Sequence, residues 1–163
     1  MNIFYLDKNF NLSAQYHVDK HIVKMPTEAS QLLIDAILTE KSVSPPLTKS
    51  GRPFKPLSKG QHNHPCAKFS RTNYGFDFLT NYLKALCNEY TYRYNKIHFC
   101  ESQYLKWIVL NKPIFSIYQI DFPLAMPEYC RLDNPVLSYR NYYNIEKQHL
   151  FSWKNRPVPL WIL

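Results

Sequence analysis

Leu79-Thr80-Asn81-Tyr82-Leu83-Lys84-Ala85-Leu86-Cys87-Asn88-Glu89-Tyr90 is the stretch on which the fold turns. Leu79, Tyr82, Leu83, Leu86, Cys87 and Tyr90 recur at the three- and four-residue spacing that lines one face of an α-helix, while Lys84, Asn88 and Thr91 face elsewhere. The spacing predicts a long helix from about Pro65 to Tyr94. Cys87 falls on its apolar face and is read as core.

The same periodicity extends outward in both directions. Ser13 to Leu38 is helical in pattern, with Ala29, Leu32, Leu33, Ala36 and Ile37 as its clearest apolar face. Pro26 is expected to kink or break that helix, because proline lacks a donor and crowds the preceding turn. Asp7, Asn9 and Asn11 offer capping oxygens before a start near Leu12. Ile3–Leu6 is either a short buried strand or an extended lead-in. Beyond the central helix, Glu101–Leu110 reads as a further helix that ends before Lys112-Pro113. Residues 113–130 are punctuated by proline and irregular. Asp133-Asn134-Pro135 is a cap followed by a first-turn proline, opening a helix to about His149. The fold class is therefore all-α: one domain over residues 1–163, with a basic, Pro-rich loop at 39–65 and an aromatic, extended tail at 150–163.

Composition narrows the function. Only three Gly in 163 residues argues against a Gly-rich phosphate loop. No apolar run reaches the roughly 18 residues of a membrane helix. The amino terminus lacks the basic and apolar regions of an export signal, so a protein that stays in the cytoplasm is expected, with its four cysteines reduced. The net charge is +8, and residues 41–76 hold seven Lys or Arg and no acid. Such a local positive field points to a polyphosphate partner, nucleic acid above all.

Four constellations carry possible chemistry. His17, His21, Lys24 and Glu28 form one polar stripe if the first helix is continuous, with Lys20 beside it. Imidazole, amine and carboxylate in one place suit proton transfer and nucleophilic catalysis; an exposed Lys24–Glu28 ion pair is the plainer reading. His62-Asn63-His64-Pro65-Cys66 has the donors of a metal half-site but no known zinc spacing, so no metal and no cofactor is expected. Glu89 and Arg93 form an i, i+4 pair within a Tyr-rich, basic segment that ends at His98. Tyr139, Arg140, Tyr142, Tyr143 and Lys147, followed by Trp153 and Trp161, interleave aromatics with bases, a pattern for stacking on single strands.

Two resemblances follow from these residues. Lys20-His21-x-x-Lys24-Met25, Glu28-x-x-Gln31-Leu32-Leu33, Asn63-His64-Pro65-Cys66, Ala125-Met126-Pro127 and Tyr139-Arg140-x-Tyr142-Tyr143 resemble a family of small tailed-phage proteins, a likeness that carries no function with it. Asp19-x-His21, six residues and then Glu28 is similar to the amino-terminal helix of the phage pyrimidine-dimer DNA glycosylases. That resemblance implies an all-helical fold, a catalytic Glu28, and His21 helping to hold DNA. The family also uses the amine of a small second residue, exposed by removal of Met, as its nucleophile. Three positions depart from its pattern: Asn2 is a poor site for Met removal, and Thr27 and Gln31 stand where the family carries arginine.

The resulting expectation is a monomeric, phage-encoded, DNA-directed enzyme of the glycosylase type, working in the cytoplasm of an infected cell. Glu28 would stabilise a cation or activate water, His21 and His17 would orient it or bind phosphate, and the amino-terminal amine or Lys24 would be the nucleophile. Lys20, Lys49, Arg52, Lys55, Lys59, His62, His64, Arg71, Arg93, Arg140, Tyr143 and Lys147 are the candidate DNA contacts. The rivals are a non-catalytic nucleic-acid-binding protein and an enzyme acting on a small phosphorylated nucleotide or metabolite.

Overall fold

The apolar stripe of residues 79–90 is the spine of the molecule. The computed structural model of the protein describes residues 1–163 and contains helices and turns but no strand, only one isolated pairing between Leu47 and Pro53. The helix expected from Pro65 to Tyr94 is two helices, α4 (Pro65–Ser70) and α5 (Asn73–Tyr94). Thr72 makes the break: it leaves helical geometry, its hydroxyl caps α5 by accepting from Gly75 N, and it donates to Phe69 O. Only glycine fits at 75, since a Cβ there would lie 1.9 Å from the Phe69 carbonyl oxygen. Asn95 closes α5 in the left-handed region, with φ 50°.

Ahead of this pair lie α1 (Phe10–Tyr16) and α2 (Asp19–Glu40). The interruption expected at Pro26 falls instead at His17-Val18, and Pro26 sits buried inside α2. α5 sets that corner. Arg93 donates through Nη2 to Gln15 O in α1 (2.9 Å) and through Nη1 to Asp19 in the first turn of α2 (2.9 Å). Pro26 forgoes one backbone bond, and buried Met25 and Ala29 beside it keep the helix docked. One consequence is that His17 is not on the same helix as His21, Lys24 and Glu28.

The rest follows the sequence more closely. Within the long loop a single short helix, α3 (Lys59–His62), forms behind a Ser58 capping box. A π-helical turn (Glu101–Leu105) leads into α6 (Lys106–Leu110). Residues 113–130 are irregular apart from one 3-10 turn, and Asn134 caps α7 (Pro135–Glu146), which stops short of His149. Ile3, Phe4 and Leu6 are an extended, buried lead-in.

α2 packs along α5, with α1 and α4 flanking, around a core dense in Phe and Tyr. The tail is a strap: Trp153 Nε1 donates to Tyr16 O, and Arg156 grips Glu89 through two nitrogens at 3.0 and 2.8 Å. All four cysteines are buried and unpaired. No helix is long and apolar enough to cross a membrane.

Candidate active site

α2 buries one face on α5 and turns Lys24 and Glu28 toward the extended lead-in. Glu28 is 9% exposed, and both its oxygens are occupied. Oε1 accepts from Lys24 Nζ at 2.9 Å, and Oε2 accepts from the backbone nitrogen of Asn2 at 3.0 Å. Lys24 itself is 68% exposed along its side chain. Ile3 and Phe4, buried behind Asn2, fix the line along which the second residue reaches the carboxylate.

His64 completes this corner. It caps α4 by accepting from Cys66 N at 3.2 Å. Burial lowers its pKa; the amino-terminal ammonium lowers it further and Glu28 raises it, so both charges are its neighbours. Cys66 lies underneath, with its thiol pushed up to about 12 mainly by burial.

His21 and His17 lie deeper. His21 stacks on Phe4 with ring centroids 4.3 Å apart, and its Nδ1 meets the Tyr143 hydroxyl at 2.6 Å. His17 is fully buried: Nδ1 donates to Ser13 O, and Nε2 meets the Tyr82 hydroxyl at 2.8 Å. Burial pushes both pKa values down to about 3, so both rings are neutral at pH 7. Whatever His21 does in the site, it does as an uncharged imidazole.

The candidate DNA contacts divide sharply. Lys20, Lys49, Arg52, Lys55 and Lys59 are exposed, and no carboxylate lies within ion-pair distance of them. Lys20 lies on α2; the loop that carries the others turns at Thr48–Arg52 through Gly51, whose φ is 75°. Asp35, 1% exposed on α2, ties the base of that loop: it accepts from Leu57 N (2.9 Å), His62 Nδ1 (3.2 Å) and Arg71 Nη1 (3.4 Å). His62 and Arg71 are thus engaged in holding the loop. Arg93 is buried between Glu89, Asp19 and Gln15 O, with no face left for a phosphate. Tyr143 is equally buried. Arg140 pairs with Asp7 and lies over the rings of Tyr16 and Trp161, while Lys147 covers Tyr142. No three His, Cys, Asp or Glu side chains converge as a metal set.

Between α2, the loop and the π turn opens a cleft of about 410 Å³, which Glu28 itself does not line. Thr27 and Gln31, the two positions that depart from the arginines of the resemblance, both line it, with Lys49, Phe54, Phe99 and Tyr104. An aromatic wall, a neutral floor and one lysine at the rim make a space of the size that takes a base or a nucleotide.

The profile of the pyrimidine dimer DNA glycosylases matches residues 1–102 of the 163, a span that contains Asn2, Lys24, Glu28, the basic loop, all of α5 and most of the cleft. The chain belongs to that family. No curated protein and no solved structure matches it. Membership in a glycosylase family makes DNA repair the functional frame. The match stops inside the π turn, so α6, α7, the 113–130 segment and the tail lie outside it.

Three residues of this corner were beyond sequence reasoning. Asn2 stands out in the sequence only as a poor processing site, Tyr139 only as one aromatic of a run interleaved with bases, and Asp35 not at all. Their partners are distant in the chain, and no local spacing signals them.

Proposed function

We propose that this protein is a DNA-repair glycosylase that removes a damaged base from duplex DNA through an imine formed by an amine at Glu28. One observation carries the reading. A single buried carboxylate holds, at 2.9 and 3.0 Å, the two nitrogens from which a nucleophile can come: Lys24 Nζ and the nitrogen of residue 2. An amine there attacks C1′ of the damaged nucleotide and the bond from C1′ to the base breaks, the base leaving with the electron pair and taking a proton from water; the nitrogen then gives up a proton as the C1′–O4′ bond opens and O4′ is protonated, which leaves the protonated imine. Glu28 is placed to take that proton and to balance the cation that develops at C1′. Residue 2 is the favoured source, because its nitrogen is held on the buried side of Glu28, whereas Lys24 comes from solvent. An amide nitrogen is inert, so the reading requires that the residue before Asn2 be trimmed or that its own amine take the position.

The exposed Lys20, Lys49, Arg52, Lys55 and Lys59 would hold the phosphate backbone, and the cleft would receive an extruded base. The protein would act as a monomer, in the cytoplasm of an infected cell. The experiment is borohydride trapping on a duplex carrying an abasic site, followed by peptide mapping of the adduct. The adduct is expected on the amino-terminal peptide and should persist in Lys24→Met. An adduct on Lys24 would move the nucleophile. No adduct, with no base released across a panel of damaged duplexes, would overturn the reading in favour of the binding protein or the nucleotide enzyme.

A further inference from the structure

The side chain of Asn2 is held as firmly as its backbone. Its Oδ1 accepts from Ile3 N at 2.8 Å and faces the Tyr139 hydroxyl at 2.8 Å; its Nδ2 donates to Ala125 O at 2.8 Å. This pattern fixes which end of the amide is oxygen, since a swap would set NH2 against the Ile3 N–H and oxygen against a carbonyl. Tyr139 is fully buried on α7. Its hydroxyl, with one proton, lies between Asn2 Oδ1 and Pro123 O, each 2.8 Å away, and accepts from Ala125 N at 3.3 Å. Burial raises its pKa well above the ordinary phenol value, so the proton stays on. Every one of these partners except Ile3 lies beyond residue 102, outside the span matched by the family.

We propose that Asn2 and Tyr139 are positioning residues, and that the 123–139 part of the chain completes the active site by clamping the second residue so that its nitrogen stays on Glu28. A residue this near a chain end samples many conformers unless tied down, and a nucleophile that wanders by about 1 Å loses roughly 100-fold in rate. Asparagine suits the task because one amide reaches an acceptor and a donor at once. This inference rests on the imine reading for its catalytic consequence, but not for the clamp itself.

The test compares the full-length protein with Tyr139→Phe, Asn2→Gln and the double variant. Gln keeps the amide and is as poor a site for Met removal as Asn, and intact mass confirms that all four proteins start at the same residue. Each single variant is expected to slow single-turnover borohydride trapping by roughly 10- to 100-fold, with affinity for a duplex bearing a tetrahydrofuran abasic analogue unchanged within about two-fold. The double variant should be no slower than the slower single one, because both changes open the same clamp. Independently of activity, hydrogen exchange at the Ile3 amide and the Asn2 side-chain amide should accelerate in Tyr139→Phe. Unchanged trapping rates, or a parallel loss of trapping, affinity and melting temperature, would overturn the positioning role. A wild-type protein that traps nothing would instead sink the imine reading, and the exchange data would then decide the clamp alone: protection that survives Tyr139→Phe would overturn it.

Discussion

Glu28 and Glu89 are two buried carboxylates on neighbouring helices, and they differ in the company they keep. Glu89 is 4% exposed and is gripped by Arg93 Nε and by two nitrogens of Arg156, all from guanidinium groups that never release a proton. Those bonds pin the tail to α5, and nothing about them can change during a reaction. Glu28 is almost as buried, yet its partners are an exposed ammonium and a nitrogen near the chain end. The ammonium of Lys24 can move and can lose a proton, as no guanidinium on Glu89 can. On the function proposed above, burial and pairing do not by themselves mark a catalytic carboxylate; the chemistry of the partner does.

Glutamine at each position is the sharpest test of that contrast. Glu28→Gln should lower turnover by on the order of 1,000-fold, the upper range for losing a proton acceptor and a charge at once, while DNA affinity and melting temperature hold. Glu89→Gln should do the reverse. It leaves Arg93 and Arg156 short of their counter-charge, costing roughly 3 kcal/mol or more, or about 10 °C in Tm for a chain of this length, with activity per folded molecule intact. Thermal melts and single-turnover rates on both variants decide it; a stability loss at Glu28 or a rate loss at Glu89 would break the distinction.

Acid should separate the two regions next. His17 and His21, in the core between the two carboxylates, have folded pKa values of about 3 because they are buried, against about 6.5 when unfolded. Between those values the unfolded chain binds more protons, so stability rises with pH in this window. The contribution is complete above about 6.5 and is lost as pH falls toward 3, at about 1.4 kcal/mol per pH unit for each histidine. The tail's own anchors have no such group: Arg156 does not titrate, and Asp19 is held below the ordinary carboxylate range, where burial, which would raise it, is outweighed by bonds from Ser152, Lys154 N and Arg93. Hydrogen exchange at pH 7.5 and pH 5 should show residues 3–21 loosening before the tail. Equal loosening would mean that the histidines do not set the acid limit.

The smallest effect on the fold belongs to the loop. Replacing Lys49, Arg52, Lys55 and Lys59 by Ala should alter stability by less than about 0.5 kcal/mol, yet flatten the salt dependence of duplex binding by about 0.9 log units per decade for each phosphate no longer neutralised. Titrations at several salt concentrations measure this, and an unchanged slope would remove the loop from the interface.

How much of this was legible depended on how far each determinant lies along the chain. The stripe from Leu79 to Tyr90, the Asn134-Pro135 start of α7 and the Lys24–Glu28 pair are local patterns, and each appears where the sequence puts it. The corner at His17-Val18 was not legible, because Arg93 and Tyr82 impose it from α5; proline at 26, the obvious local breaker, is overruled by packing. The Thr72 break differs, since its bonds to Phe69 and Gly75 are local; helix-like residues on both sides of it mask that cap in the sequence. At the site, Glu28 and Lys24 could be named from spacing, whereas Asn2, Asp35 and Tyr139 acquire meaning only through partners elsewhere in the fold.

The bond between Asn2 and Tyr139 joins residues 137 apart in the chain, and this orders events during synthesis. The second residue is among the first to leave the ribosome and among the last to find its partner, because α7 has yet to be made. Until then the side chain of Asn2 has neither Tyr139 nor the Ala125 carbonyl to hold it.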